Sequence, residues 1–110
     1  MPKAIVLVFT NCADPAREAE FSEWYNNTHI PDMLQAEGFV AATRYQLLGE
    51  PGPGQGKFLA VYEVEADDLP SAFAGVQKRL AEVTAQGRII DTLRVVGFTP
   101  CLQISERQTA

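Results

Sequence analysis

Residues 21–34 carry the side chains of this sequence that are best suited to chemistry. They include His29 and Trp24, the only histidine and the only tryptophan in the chain. Histidine is the one side chain whose ordinary pKa allows proton exchange near neutral pH, so His29 is a candidate catalytic general acid or base. A structural role is equally open, because a histidine at a helix end can bind free carbonyls and interact favourably with the helix dipole.

Aromatic and amide side chains near His29 or in apolar runs are candidates for binding a substrate. Tyrosine hydroxyls can donate hydrogen bonds to a carbonyl or phenolate oxygen. An asparagine can orient a carbonyl or, equally, bond the free carbonyls of a helix end. Two of the aromatic residues are adjacent and point in different directions on a helix, and we expect the tryptophan to lie in the core. The candidate substrate-binding residues are Trp24, Tyr25, Asn26, Tyr45 and Tyr62.

Three charged residues bear on the same region. Asp32 follows His29 by three positions and could hold the imidazole tautomer, although a cap of the following turn is the role we favour. Arg44 and Glu63 alternate with the two strand tyrosines, so we expect them to form a cross-strand or interface ion pair. The sequence leaves open which strand parity faces the helices.

The composition is that of a globular protein and excludes several classes of function. There are 14 acidic and 9 basic residues, giving a net charge of −5, so nucleic-acid binding, which needs a basic surface, is disfavoured. No apolar run reaches the roughly 18 residues of a membrane span. Cys12 and Cys101 form neither a disulfide framework nor a CxxC metal pattern. We expect a reduced, cytoplasmic protein with no metal and no cofactor.

Four apolar runs bounded by glycines and turn formers are typical of strands. The first suits a strand buried on both faces, and the last is expected to be edge-like or broken at Pro100. The second and third should form a hairpin around a loop rich in glycine and proline. The predicted strands are residues 3–10, 39–48, 57–65 and 93–104.

Two segments space their apolar residues as helices do. Asp14 followed by Pro15 predicts the start of the first helix. This helix should end or kink near His29, because Pro31 cannot donate to the helical ladder and disfavours the α conformation in the residue before it. Residues 67–87 form the second helix, with an acidic cap at its start and a glycine at its end.

The order β-α-β-β-α-β predicts a single domain, residues 1–110, with a ferredoxin-like α+β fold. Two helices would cover one face of a four-stranded antiparallel sheet. The other face would be apolar as well, and an exposed apolar face marks an association surface. We therefore expect a homodimer in which sheet packs on sheet.

A motif on the first helix resembles the EthD-like proteins of the dimeric α+β barrel superfamily. It reads Phe-x-x-Trp-Tyr-Asn-x-x-His-Ile-Pro-Asp-Met-Leu, and Gly38-Phe39 then opens the second strand. The resemblance implies a dimeric barrel with a cavity in each subunit, between helices and sheet, for a small hydrophobic or aromatic carbonyl ligand. It also implies proton transfer by a helix-borne histidine, as in muconolactone isomerases and polyketide cyclases, and this role falls to His29.

Three functions are compatible with this resemblance. The first is a small cofactor-free enzyme that cyclises, dehydrates or isomerises an aromatic or polyketide-like carbonyl substrate, with His29 as general acid or base. The second is a cofactor-independent monooxygenase of a phenolic, quinone-forming substrate, whose relatives use the residue types of Trp24, Tyr25 and Asn26. The third is a non-catalytic small-ligand-binding dimer. Function diverges within such folds, so the fold alone does not choose among them.

Overall fold

Four antiparallel strands form one sheet in the computed structural model, which describes residues 1–110. The strands are β1 (Lys3–Cys12), β2 (Phe39–Gln46), β3 (Phe58–Glu65) and β4 (Leu93–Leu102). Their order across the sheet is β2-β3-β1-β4, so β2 and β4 are the edges. Each strand begins and ends within two residues of its predicted limits. The predicted ferredoxin-like α+β fold is confirmed.

The first helical segment changes its hydrogen-bonding pattern along its length. Asp14 caps it, as predicted, by accepting a hydrogen bond from the backbone N–H of Ala16 at 3.0 Å. The segment consists of a 3₁₀ turn (Pro15–Arg17), helix α1 (Glu18–Trp24), a π turn (Tyr25–His29) and helix α2 (Ile30–Met33).

Of the two predicted alternatives near His29, an end of the helix is wrong, because the helical segment continues through Pro31, whereas an irregularity is present there as the π turn of Tyr25–His29. In a regular α-helix, proline lacks the N–H for the ladder and its ring clashes with the carbonyl four residues back. Here the π turn lies directly before the proline, and the N–H of Ile30 bonds to the carbonyl of Tyr25, five residues back. The distortion that proline requires is therefore taken up inside the segment without ending it.

Helix α3 (Leu69–Ala85) packs beside α2 over the sheet. The side chain of Asp68 accepts a hydrogen bond from the N–H of Ser71 at 3.1 Å, which confirms the acidic cap at the helix start. Gly87 follows the helix with φ of +72°, a left-handed conformation that glycine adopts without steric cost. None of the helices has the length and apolar character that crossing a membrane requires.

The core lies between the helices and one face of the sheet. Side chains alternate across a strand, and on the helix side of the two central strands Val6 and Val64 are fully enclosed. The prediction that β1 is buried on both faces is wrong for the single chain, because Ile5 on the opposite face is 36% exposed. Aromatic side chains from the first helical segment and from β2 and β3 complete the core: Phe21, Tyr25, Phe39, Phe58 and Tyr62.

The centre of the sheet face opposite the helices is apolar and has no covering layer, while Glu63, Glu65 and Lys3 lie towards one end of it. Leu7 and Phe9 from β1 and Leu59 and Val61 from β3 lie on this face and remain partly exposed. β4 is an edge strand and contains Pro100, in agreement with the edge-like strand predicted there.

Candidate active site

A cavity of about 50 Å³ lies between the helices and the sheet, beside His29. Most of its lining is aliphatic or aromatic, contributed by β1, α3 and β4. Polar groups come from His29, Tyr25 and Tyr62, and from Gln77 at the exposed surface of α3. Such a small set of polar groups in an apolar cavity is the usual composition of a small-molecule site.

The π turn decides which residues flank His29. In a regular α-helix, its neighbours would be three and four positions back, at Asn26 and Tyr25. Within the π turn they are four and five positions back. Tyr25 meets the imidazole edge-on, with ring centroids 4.9 Å apart, and Trp24 stacks on it at 4.8 Å with an interplanar angle of 20°. Asn26 is exposed instead, and its Oδ1 accepts a hydrogen bond from Arg44 at 3.1 Å.

The imidazole of His29 is buried and neutral at physiological pH. Its residue is 6% exposed, and its Nδ1 is enclosed without a hydrogen-bond partner. Burial lowers the pKa of His29 to about 4, because a low-polarity surrounding disfavours the charged form, and the nearby Asp32 carboxylate opposes this only in part. A neutral imidazole can accept a proton, so His29 is in the state that acts first as a base.

Asp32 has neither of the roles considered from the sequence. It makes no hydrogen bond to the imidazole, and its side chain caps no helix. Its carboxylate is buried and binds Arg88 with two bonds of 2.7 and 3.0 Å, with Arg79 at 3.8 Å. A buried carboxylate needs such a cationic partner, and the partner comes from just beyond the C-terminal end of α3, 56 residues along the chain.

Tyr25 and Tyr62 present neutral phenols to the cavity. Burial raises the pKa of both hydroxyls; in Tyr62, the neighbouring Tyr25 raises the pKa further. The two hydroxyls lie close enough for each to shift the pKa of the other, but they do not meet standard hydrogen-bond geometry, and Oη of Tyr62 has no other partner. Arg44 lies over the Tyr25 ring, with its guanidinium carbon 4.5 Å from the ring centroid. Both phenols are therefore available as hydrogen-bond donors.

The strand register separates Tyr45 from Tyr62. Ala42 pairs with Tyr62 across β2 and β3, so Tyr45, which pairs with Leu59, lies on the opposite face and is 55% exposed. Arg44 lies on the helix side and makes no ion pair with Glu63, so the cross-strand alternative of the predicted Arg44–Glu63 pair is wrong.

Of the candidate site residues, the fold brings three to the cavity: His29, Tyr25 and Tyr62. Trp24, predicted to lie in the core, is only half-buried and supports His29 from outside the cavity. Its position at the end of α1 leaves one edge of the indole near the surface, where Nε1 donates to the carbonyl of Arg88 at 2.9 Å. Asn26 and Tyr45 lie outside the cavity.

Two residues of the site were missed in the sequence. Gln77 directly follows Val76, which belongs to the apolar stripe of α3. This neighbour is the only feature of the sequence that indicates a place for Gln77 at the cavity. Arg88 follows the glycine that ends α3, and nothing in the local sequence connects it to Asp32 or Trp24. No three His, Cys, Asp or Glu side chains come together as a metal site.

Three solved structures are similar to this chain over nearly its whole length. HapK from Hahella chejuensis aligns with a TM-score of 0.67 and 16% identity, covering 97% of this chain and 98% of its own. A dimeric ferredoxin-like protein from an uncultured marine organism gives 0.65 and 12%, covering 97% and 100%. An ethyl tert-butyl ether D (EthD) family protein from Bacillus halodurans C-125 gives 0.53 and 17%, covering 96% and 100%. The predicted EthD-like resemblance is confirmed at the level of the fold.

The comparison with curated proteins gives no match. A family model, described as a domain of unknown function (DUF4286), matches residues 4–103, which is nearly the whole chain. This protein therefore belongs to the DUF4286 family.

Proposed function

We propose that this protein is a small cofactor-free enzyme that moves a proton on an aromatic or polyketide-like carbonyl substrate, with His29 as the general acid or base. The reaction would be a cyclisation, a dehydration or an isomerisation. The observation that carries the proposal is a buried, neutral imidazole at an apolar cavity whose remaining polar groups are mainly phenols.

The proposed chemistry uses His29 and the two phenols of the cavity. Neutral His29 accepts a proton from the carbon next to the substrate carbonyl, leaving an enolate. Tyr62, whose hydroxyl has no partner in the chain, donates a hydrogen bond to the enolate oxygen, and Tyr25 lies beside it. The imidazolium then returns the proton to another carbon, or to a departing hydroxyl as water leaves. A positioned base contributes typically on the order of 10²–10⁴-fold in rate when its pKa lies near the working pH, and the low pKa of His29 favours the lower end of this range.

A substrate of this class would need the cavity to open. A volume of about 50 Å³ has room for a few water molecules, whereas ordinary ligand sites measure roughly 300–1,000 Å³. Val95 and Phe98 of β4 line the cavity and are 52% and 38% exposed. We therefore propose that the ligand enters between α3 and β4, where the side chains at the rim are least constrained by packing.

We further propose that the protein is a cytoplasmic homodimer that packs sheet on sheet. The apolar outer face of the sheet supports this arrangement, because such a face is unfavourable in water. The similar ferredoxin-like protein from the uncultured marine organism is described as dimeric. Cys12 and Cys101 are both free thiols, as is usual in a reducing compartment.

Crystal soaks with small aromatic ketones and phenols test the proposal. We expect ligand density in the cavity, with a ligand oxygen at hydrogen-bond distance from Tyr62 and an acidic carbon facing His29. Ligand bound elsewhere, with the cavity closed, would overturn the site. Once a substrate is known, normal turnover by a His29→Ala protein would overturn the mechanism.

A second candidate is a non-catalytic small-ligand-binding dimer, which is favoured by the small cavity and by the weak basicity of His29. It predicts binding without product and without dependence on His29. A cofactor-independent monooxygenase has less support, because Asn26, the amide of that scheme, is exposed and bonded to Arg44. Oxygen uptake during turnover would distinguish it from the proposed proton-transfer enzyme.

A further inference from the structure

Arg88 occupies a backbone position that the end of α3 fixes. Its N–H bonds to the carbonyl of Val83 at 3.0 Å, and the N–H of Gly87 bonds to the carbonyl of Thr84 at 3.1 Å. These two bonds form a Schellman motif, which requires the left-handed conformation of Gly87 at φ +72°. The main chain of Arg88 is therefore held by α3, independently of the groups that Arg88 touches.

Arg88 binds the segment that carries His29 through both its main chain and its side chain. Its carbonyl accepts a hydrogen bond from Nε1 of Trp24 at 2.9 Å. Its guanidinium donates from Nε and Nη2 to the two carboxylate oxygens of Asp32, at 2.7 and 3.0 Å. Trp24 lies five positions before His29 and Asp32 lies three positions after it. One residue thus holds the helical segment on both sides of the imidazole.

The ion pair between Arg88 and Asp32 restrains the relative orientation of the two side chains. An arginine–carboxylate pair with two parallel bonds fixes orientation as well as charge. Asp32 is 5% exposed and its other cationic neighbour, Arg79, lies farther away at 3.8 Å, so loosening the pair with Arg88 leaves a buried carboxylate without a close partner. A pair of similar geometry between Arg17 and Asp91 lies at the surface and touches neither Trp24 nor Asp32.

We propose that Arg88 is the positioning residue of the site: by holding Trp24 and Asp32 together, it keeps the imidazole of His29 in its place between Trp24 and Tyr25. This inference rests on the proposed role of His29 in proton transfer. Its test measures the titration of the imidazole and not catalytic turnover, so the positioning role and the proposed function can be refuted independently of each other.

The test is an NMR titration of His29, the only histidine in the chain. Without the clamp, water reaches the imidazole, and the Arg88→Gln protein should titrate about one pH unit or more above wild type. The Arg17→Gln protein should titrate like wild type and serves as the matched control. An unchanged titration in a folded Arg88→Gln protein contradicts the proposal.

The charge left on Asp32 would also raise the pKa of His29, so a double variant separates the two effects. Arg88→Gln with Asp32→Asn removes the clamp and both charges of the pair, while Arg79, 3.8 Å from Asp32 in wild type, keeps its charge, and Tyr25 and Tyr62 stay neutral over this pH range because burial raises their pKa values. Loss of the Asp32 carboxylate by itself lowers the pKa of His29, because this carboxylate raises it in wild type. A positioning role predicts that His29 nevertheless titrates above wild type, because water reaches the imidazole; a value at or below wild type would contradict the positioning role.

Trp24→Phe tests the same clamp without disturbing the buried ion pair. It keeps an aromatic ring against His29 but deletes the Nε1–H bond to the carbonyl of Arg88. This variant is informative even if the double variant fails to fold. We expect His29 to titrate above wild type here too; a wild-type titration in a folded Trp24→Phe protein would overturn the inference.

Discussion

Replacing His29 with Gln should remove most of the pH dependence of stability between pH 6.5 and 4. Burial lowers the pKa of His29 from 6.5 to about 4 in the folded chain, whereas the unfolded chain keeps the ordinary value. Within this window the unfolded chain binds more protons than the folded chain, so the free energy of unfolding decreases as the pH falls. The stability is fully present above pH 6.5 and is lost on acidification through pH 4.

The size of this effect follows from the two pKa values. A difference of one pH unit corresponds to about 1.4 kcal/mol, so the interval from 6.5 to about 4 amounts to about 3 kcal/mol. His29 is only 6% exposed, so solvent screening reduces this figure little. Hydrogen bonds from Ser71 to Asp68 and from Arg17 to Asp91 lower the pKa of each carboxyl from 3.8, so these groups act mainly below the window. Arg17 also lowers the pKa of Glu20 from 4.5, so this exposed carboxyl acts at the acid end of the window, equally in wild type and His29→Gln.

Urea unfolding at fixed protein concentration, repeated in small pH steps, measures the effect. Tyr45→Phe is the matched control, because Tyr45 lies on the outer face of the sheet, away from the cavity. Wild type and Tyr45→Phe should lose about 3 kcal/mol between pH 7 and pH 4, and His29→Gln should lose much less. Parallel curves for wild type and His29→Gln would refute the conclusion that burial holds the imidazole neutral.

Three further predictions concern the fold, the cavity and the outer face. Gly87→Ala should lower the free energy of unfolding by about 1 kcal/mol, because Gly87 has a φ of +72°. Gly75→Ala inside α3 should raise the free energy of unfolding by about 0.5–1 kcal/mol, because nothing lies near the added Cβ. Equal effects of the two substitutions in thermal unfolding would contradict the assignment of the helix end. Tyr62→Phe should raise the free energy of unfolding by up to about 1 kcal/mol, since a buried hydroxyl without a partner is unfavourable; a clear loss in urea unfolding would mean that this hydroxyl is bonded in solution. Val61→Lys, at the centre of the outer face, should convert the proposed dimer to a monomer in light scattering, with Val61→Thr as control; a Val61→Lys protein that stays dimeric places the interface elsewhere.

Much of the fold could be predicted because its signals are local. Asp14 with Pro15, and Asp68 with Pro70, mark helix starts because side-chain caps and a proline in the first turn act over a few residues. Gly87 marks a helix end for the same reason. The strands alternate or run apolar over short distances, and β-α-β-β-α-β allows few arrangements once those elements are known.

The site was less predictable because three of its features depend on distant or unusual geometry. No residue type announces a π turn, so the sequence leaves open whether the helix ends or kinks near His29, and it does not show that Trp24 and Tyr25, rather than Asn26, flank the imidazole. The face of a tyrosine on β2 depends on its pairing with β3, which includes an irregularity near the start of β2. The partner of Asp32 comes from beyond α3, and patterns among neighbouring residues do not predict a contact between residues so far apart in the sequence.

Hydrogen–deuterium exchange on a bound ketone tests the role of His29 most directly. A small aryl ketone such as phenylacetone, incubated with the protein in D₂O, takes up deuterium at the carbon next to its carbonyl whenever a base removes that proton. Mass spectrometry then compares wild type, His29→Gln and the control Tyr45→Phe. We predict exchange on the order of 10²–10⁴-fold above buffer with wild type and Tyr45→Phe, and exchange near the buffer rate with His29→Gln. Equal exchange with wild type and His29→Gln would contradict the assignment of His29 as the proton-transfer group.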